Sequence, residues 1–176
     1  MRMERPVLDA CMTAATSVTW LDFNDAANGA PEFGEDAREL RVREKMFVAR
    51  AFWHHFGYPD ALFSARELRH GIHAGDIETS LMMAFRDDLV RRDDIANFEP
   101  ASLDMEERFQ WLRATGPHGF GWMSQDLSPA GAMGNAALAT LEKGEASADY
   151  GATAFLELLQ DIEAFDLARL ADGPLD

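Results

Sequence analysis

The sequence predicts an α/β domain, and three stretches carry that prediction. Met46-Phe47-Val48-Ala49-Arg50-Ala51-Phe52-Trp53 is apolar but for Arg50. Its length and flanks suit a buried strand of a parallel sheet. Ile77, Leu81, Ala84, Phe85 and Leu89 recur at helical spacing between Asp76 and Arg92. Phe155, Leu158, Leu159, Ile162 and Phe165 form a second helical stripe after Ala152. Strands alternating with amphipathic helices imply α/β layers.

The remaining elements follow in order. Residues 1–34 mix Thr, Ala, Asn, Gly and Asp with little periodicity, so we expect an atypical, poorly ordered segment. Within it, Val18–Phe23 is β-branched and aromatic and reads as a short strand, and Asn28–Pro31 reads as a turn. Residues 35–45 set Ala37, Leu40 and Val42 among Glu and Arg, as the end of a helix would. The loop Gly57-Tyr58-Pro59 closes the apolar strand, and a helical turn is expected at Ser64–Leu68. After the helix of 76–92 come a loop at Asn97–Pro100 and a short helix at Met105–Leu112. Gly119–Met123 reads as a strand or an extended segment, and Ser128–Gly131 as a turn. A helix begins at Ala136–Lys143 and is expected to be interrupted at Gly144. The expected boundaries are an N-terminal segment 1–34, a domain 35–168 and a tail 169–176.

Composition narrows the function classes. The 176 residues are 47% apolar and 27% charged, which suits one domain with a hydrophobic core. No apolar run approaches the ~20 residues of a membrane span. Met1–Val7 carries Arg2 and Arg5 with no apolar block of signal-peptide length behind them. We therefore expect a cytoplasmic protein. A net charge of -15 repels phosphate backbones and argues against nucleic acid as a partner. Cys11 is the only cysteine, so there is no internal disulfide and no cysteine-based zinc site; it reads as a small apolar filler.

The sequence holds no Gly-x-Ser-x-Gly elbow, phosphate loop or dinucleotide fingerprint. Of five histidines, His54, His55 and His70 read as structural or surface residues. His118, in the loop Gly116–Gly121, is a secondary candidate. His73 stands out through its neighbours. Ala74 and Gly75 are small, Asp76 sits at a helix N-cap position, and Glu78, Thr79 and Ser80 fall in the first turn. A helix N-terminus offers free N–H donors and favours negative charge. An imidazole just before it is placed for general acid or base work. Glu78 is placed either to orient that imidazole or to bind a metal. The plain alternative is a capped amphipathic helix with a surface histidine.

His73-Ala74-Gly75-Asp76-Ile77-Glu78-Thr79-Ser80 resembles the His-Ala-Gly-x-x-Glu-Thr-Ser motif of the creatininase family. Gly131-Ala132-Met133-Gly134, continuing to Ala139-Thr140-Leu141-Glu142-Lys143-Gly144, is similar to that family's C-terminal segment. The resemblance covers about residues 36–166. It implies a three-layer α/β/α fold with a mostly parallel sheet. It also implies metal-dependent hydrolysis of a small non-peptide C–N bond, in a cyclic amide or a formamide, with zinc, manganese or iron. His73 would then serve the leaving nitrogen as the proton-transfer residue, and Glu78 would lie at the metal. Trp53 and Trp122 would wall the substrate pocket, or serve as plain core aromatics. Family members are oligomeric, so a homo-oligomer is expected.

Two family motifs have no counterpart here. The chain has no Glu-x-His pair, and Asn24–Asn28 stands without a histidine where an Asn-Gly-His-Gly-Gly-Asn motif is expected. Ile72 replaces the Glu that precedes the motif histidine in creatininase itself. Most metal ligands, and the N-terminal strands, are therefore expected to be missing, as in a truncated copy. A metal completed by another chain is a second expectation. A non-catalytic binding protein that keeps the fold remnant is the third.

Overall fold

The computed structural model describes residues 17–22 and 31–171. Cys11, the turn at Asn28–Pro31 as far as Ala30, Asn24–Asn28 and most of the tail lie outside the described residues. The chain divides into two compact units, one of Met1–Gly57 with Thr153–Asp176 and one of Tyr58–Ala152.

In the first unit, strand β1 (Ser17–Asp22) pairs in parallel with β2 (Phe47–Phe52), in the register Ser17↔Phe47 to Asp22↔Phe52. Parallel neighbours need a crossover, and helix α1 (Pro31–Glu44) lies between them in the chain. The unit is thus a βαβ element, which is the α/β character the sequence predicts. The apolar run does form a strand. Its last residue, Trp53, opens a 3-10 helix (Trp53–Phe56) instead. Phe47 stacks on Phe165 at 4.7 Å between ring centroids, fixing β2 to the chain just after the last long helix.

The second unit holds the motif residues. Helix α2 (Ala65–His70) is capped by Ser64, whose hydroxyl accepts from Glu67 N. Helix α3 (Asp76–Arg86) has Asp76 and Glu78 in its first turn and Arg86 in its last, each complementing the helix dipole. Two 3-10 turns (Asp87–Leu89 and Arg92–Asp94) follow where the sequence predicts a longer helix. Strand β3 (Asn97–Phe98) pairs antiparallel with β4 (Gly134–Asn135). Helices α4 (Ser102–Arg108) and α5 (Ser124–Leu127) come between them. Helix α6 (Leu141–Ala164) begins in this unit and runs on past Ala152.

Gly119–Met123 forms no strand, which leaves the other sequence reading, an extended segment. Two sequence expectations are corrected here. The short helix starts at Ser102 rather than Met105, because its first residue is buried and bonded to His70. Gly144 does not interrupt a helix: α6 runs through it without a break. A glycine there weakens the isolated helix by about 1 kcal/mol relative to alanine. Its lack of a side chain lets α6 meet α3, since an added Cβ would collide with Ser80 O and stand 2.9 Å from Ala84 Cβ. Tertiary packing decides against the local propensity.

The described core of this unit is small. Ala114, Leu127 and Met133 are buried together, with Ile72, Met105 and Trp122 packed against them. Much of the rest of its interior is polar: Glu67, His70, Asp76, Ser80 and Ser102 are all buried. Among the described residues no helix is long and apolar enough to cross a membrane.

Candidate functional site

His73 sits at a corner between α2 and α3, held by backbone. Met133 N donates to His73 O at 2.7 Å, and His73 N donates to Met133 O at 3.3 Å. This isolated antiparallel bridge joins the two motif segments directly. The chain then turns through Ala74, which adopts a left-handed φ of 53°. That conformation costs an alanine roughly 1–2 kcal/mol, so the surroundings must hold it. Ala74 N donates to Glu78 Oε2 at 2.7 Å, and Thr79 Oγ1 donates to Ala74 O at 3.3 Å. Glu78 and Thr79 of the motif therefore fix the turn that presents His73.

The imidazole itself is free to meet a ligand. The His73 side chain is 45% exposed and that of Glu78 56%. Nδ1 of His73 stands 4.0 Å from Glu78 Oε1, which is beyond a hydrogen bond. The Trp122 ring lies beside the imidazole, with centroids 6.2 Å apart, and its Nε1 donates to Ala114 O at 2.7 Å. Tyr58 belongs to the same surroundings. Burial, then the Glu78 and Glu67 carboxylates, push its phenol up to about 12. It stays a neutral donor at physiological pH.

Beneath the corner the polar groups are buried and partnered. Asp76 is 1% exposed; Lys143 Nζ donates to its Oδ2 at 2.6 Å, and Ser80 Oγ to its Oδ1 at 3.3 Å. Lys143 Nζ also donates to Leu138 O and lies 5.5 Å from the centre of the Phe63 ring. Thr140 N donates to Ser80 Oγ. The Asp and Ser of the first motif thus bond the Lys and Thr of the second. These residues hold the two segments together.

The structure brings His73, Glu78 and Trp122 together in the second unit, while Trp53 belongs to the first, edge-on to Phe56 at 6.4 Å. His118 lies in its loop with its ring 5.7 Å from that of Trp111. Near Trp53, burial and the neighbouring His55 lower the pKa of half-buried His54. Of the two sequence readings of His70, structural or surface, the structure shows the structural one. It is buried, with Nδ1 3.0 Å from Ser102 Oγ and Nε2 2.8 Å from Glu106 Oε2. Both ring nitrogens are occupied, so it tethers α2 to α4.

Glu67 is the residue that sequence reading passes over. It is 4% exposed, and its carboxylate accepts from Ile77 N at 3.2 Å and Asn135 N at 3.3 Å. The spacing Ser64-x-x-Glu67 reads as an ordinary capping box, which hides it. A better signal is the trio Gly71, Gly75 and Gly134, three glycines that leave room for one buried side chain.

A metal finds too few ligands among these residues. His73 and Glu78 offer two donors, while Asp76 is taken by Lys143 and Glu67 by backbone N–H groups. Among the described residues no group of three or more His, Cys, Asp or Glu side chains is arranged to hold an ion. A catalytic zinc needs about three protein ligands, so the described residues do not fit one unaided.

Fold and corner together define an α/β protein with a His–Glu turn built on a helix N-terminus. The family model described as creatininase, creatinine amidohydrolase, matches residues 18–159. The chain belongs to the creatininase family. It is similar to the crystal structure of a Bacteroides fragilis NCTC 9343 protein provisionally assigned as a creatinine amidohydrolase. The identity is 23% and the TM-score 0.62, over 92% of this chain and 60% of that one. A type II creatininase carrying a tryptophan-to-phenylalanine substitution matches at 23% identity and TM-score 0.51, over 73% and 49% of the two chains. Another such creatininase mutant matches at 20% and 0.55, over 89% and 60%. The chain therefore spans half to three-fifths of the length of these structures, and at such identities they speak for the fold. Comparison with curated proteins gives no match.

Proposed function

We propose that the chain carries the proton-transfer half of an amidohydrolase site acting on a small non-peptide C–N bond, in a cyclic amide or a formamide. The observation that carries this reading is the His73 corner. A strained turn, a strand bridge and a helix N-terminus converge to hold one half-exposed imidazole beside a carboxylate and an indole. At Ala74 the strain is fixed by the motif's own Glu78 and Thr79 and sits beside the imidazole, which points to use rather than to packing. In this reading His73 passes a proton to the leaving nitrogen, and Glu78 fixes the turn and faces the imidazole. Trp122 walls the substrate. Trp53 is a second wall only if the two units bring it there.

A divalent cation, zinc, manganese or iron, would supply the activated water in such a hydrolase. Its remaining ligands would have to come from outside the described residues or from another chain of a homo-oligomer. In the same reading the βαβ element belongs to a three-layer α/β/α domain with a mostly parallel sheet, of which β1 and β2 are the strands among the described residues. We place it in the cytoplasm, with no nucleic-acid partner. The second reading, a binding protein that keeps the fold without turnover, is favoured by one observation: among the described residues the corner offers a metal His73 and Glu78, and no group of three or more such ligands is arranged there.

The experiment is a turnover screen of the purified chain against cyclic amides and formamides, with each of the three metals added, beside a His73→Ala variant. Turnover that the variant abolishes supports the hydrolase. Turnover unchanged in His73→Ala removes His73 from the chemistry. Saturable binding by a folded chain with no turnover favours the second reading.

A further inference from the structure

We propose that Glu67 is the positioning residue of His73: its buried carboxylate pins together the two backbone segments that fix the imidazole. The inference rests on the reading of His73 as the working group.

Glu67 reaches from α2 into the space under the corner. One oxygen accepts from Ile77 N in the first turn of α3, and the other accepts from Asn135 N on β4. His73 lies between these two attachments. On one side it is bridged to Met133, two residues before Asn135; on the other it is four residues before Ile77. A change at either bond therefore acts on the segment that carries the imidazole.

The room for the carboxylate is made by glycine. An added Cβ at Gly75 would collide with Glu67 Oε1, and one at Gly71 would stand 2.5 Å from its Cδ. One at Gly134 would stand 3.1 Å from Oε2 and 2.6 Å from Gly75 Cα. Gly134 also has a φ of 140°, which side chains rarely adopt. Three backbone segments thus close around one side chain. A buried carboxylate with no cation beside it is costly unless N–H groups satisfy it. Here it takes one N–H from the helix N-terminus, where the dipole favours negative charge, and one from the strand.

Glutamine has the same shape, but its amide presents an acceptor on one side and donors on the other. In Glu67→Gln either Ile77 N–H or Asn135 N–H must therefore face an NH2 group and lose its bond. Glu67→Met keeps the length and removes both acceptors.

The test is NMR on the full chain and both variants, following amide exchange and the His73 imidazole, with His118 of the same unit as reference. In Glu67→Gln one of the two amides is expected to exchange about tenfold faster, as loss of a buried bond implies. The His73 ring signals are expected to shift while those of His118 stay. Glu67→Met is expected to release both amides and to shift His73 further. A folded Glu67→Gln with unmoved His73 signals would overturn the proposal, leaving Glu67 a packing residue only. Should neither variant fold, the unsubstituted chain decides. Slow exchange at Ile77 and Asn135 sustains the proposal, and exchange at the rate of exposed amides overturns it. None of these readouts needs turnover, so a failed hydrolase reading and a failed Glu67 assignment remain distinguishable.

Discussion

The corner has a floor and a rim, and they are built on opposite plans. On the floor, Glu67, Asp76 and Ser80 are at most 4% exposed and each has polar partners. On the rim, His73 and Glu78 are about half exposed and their side chains stand 4.0 Å apart without a bond between them. Six consecutive motif residues, His73 to Glu78, include members of both sets. The motif is thus two devices in one string: a scaffold that locks two segments together, and above it a half-exposed imidazole beside a carboxylate that also holds the turn at Ala74. A substitution on the floor should unfold or loosen the unit, whereas one at His73, whose imidazole makes no hydrogen bond to Glu78, should leave stability within about 0.5 kcal/mol.

The largest effect is expected at the Asp76–Lys143 pair. Removing one partner of a buried pair costs roughly 3–5 kcal/mol, because the other charge stays buried and unpaired. The two partners are not equivalent. Asp76 is nearly inaccessible, while the Lys143 side chain keeps 24% exposure and can turn to water. Lys143→Ala strands the carboxylate and is expected to cost about 4 kcal/mol; Asp76→Ala strands only the ammonium and is expected to cost about 2–3 kcal/mol. Chemical denaturation of both variants checks the order. If Asp76→Ala proves the worse, the floor is not held by its carboxylate, and the contrast with the rim weakens.

Next in size is Gly144→Ala. Alanine favours an isolated helix by up to about 1 kcal/mol, so on propensity alone the variant should be more stable. The added methyl would meet the Ser80 carbonyl, which is backbone and cannot swing aside. Overpacking of that kind costs typically 1–3 kcal/mol, and we expect a net loss of about 1–2 kcal/mol. A thermal melt decides the sign. A stabilised Gly144→Ala would mean that α3 and α6 do not meet as closely as the floor requires.

These two cases also show why the sequence was legible in part. The apolar run at Met46–Trp53 gave its strand because a short apolar run between turn signals favours one, although its described side chains are half-buried rather than buried. In α3 the same logic finds the helix and only part of its buried side. Of the stripe Ile77, Leu81, Ala84 and Phe85, Ile77 is buried, whereas Phe85 is more than half exposed. The residues that are buried are Asp76, Ile77, Ser80 and Met83. Periodicity reads apolar side chains, and this helix buries polar ones whose partners lie 60 and 67 positions away, at Thr140 and Lys143. No local pattern can report such pairings. Glu67 was missed for the same reason, since its bonding partner Asn135 is 68 positions distant. The rim was marked in another way: the resemblance to the family motif singles out His73 and Glu78, and the structure sets the Trp122 ring 6.2 Å from that imidazole.

The smallest effect, and the one that best joins the two regions, belongs to Tyr58. Its phenol feels Glu78 from the rim and Glu67 from the floor, after the larger influence of burial. Unfolded, it titrates near its ordinary value of about 10; folded, at about 12. The folded state holds the proton more tightly, so the contribution of Tyr58 to stability is whole below pH about 10. It is lost as pH rises from there through about 12. Tyr58→Phe has no proton to lose. At neutral pH its stability should differ little from the parent, and between pH 10 and 12 it should lose less. Denaturation midpoints across that range check the slope, and parallel curves would sink the assignment. Absorbance of ionised phenol separates the causes: Tyr58 and Tyr150 are the only tyrosines, so the signal absent from Tyr58→Phe is that of Tyr58. Glu78→Gln should move that signal to lower pH by less than burial has raised it. A Glu78→Gln chain in which the Tyr58 signal stays in place would show that the rim exerts no field at this phenol, and that burial with Glu67 keeps it neutral.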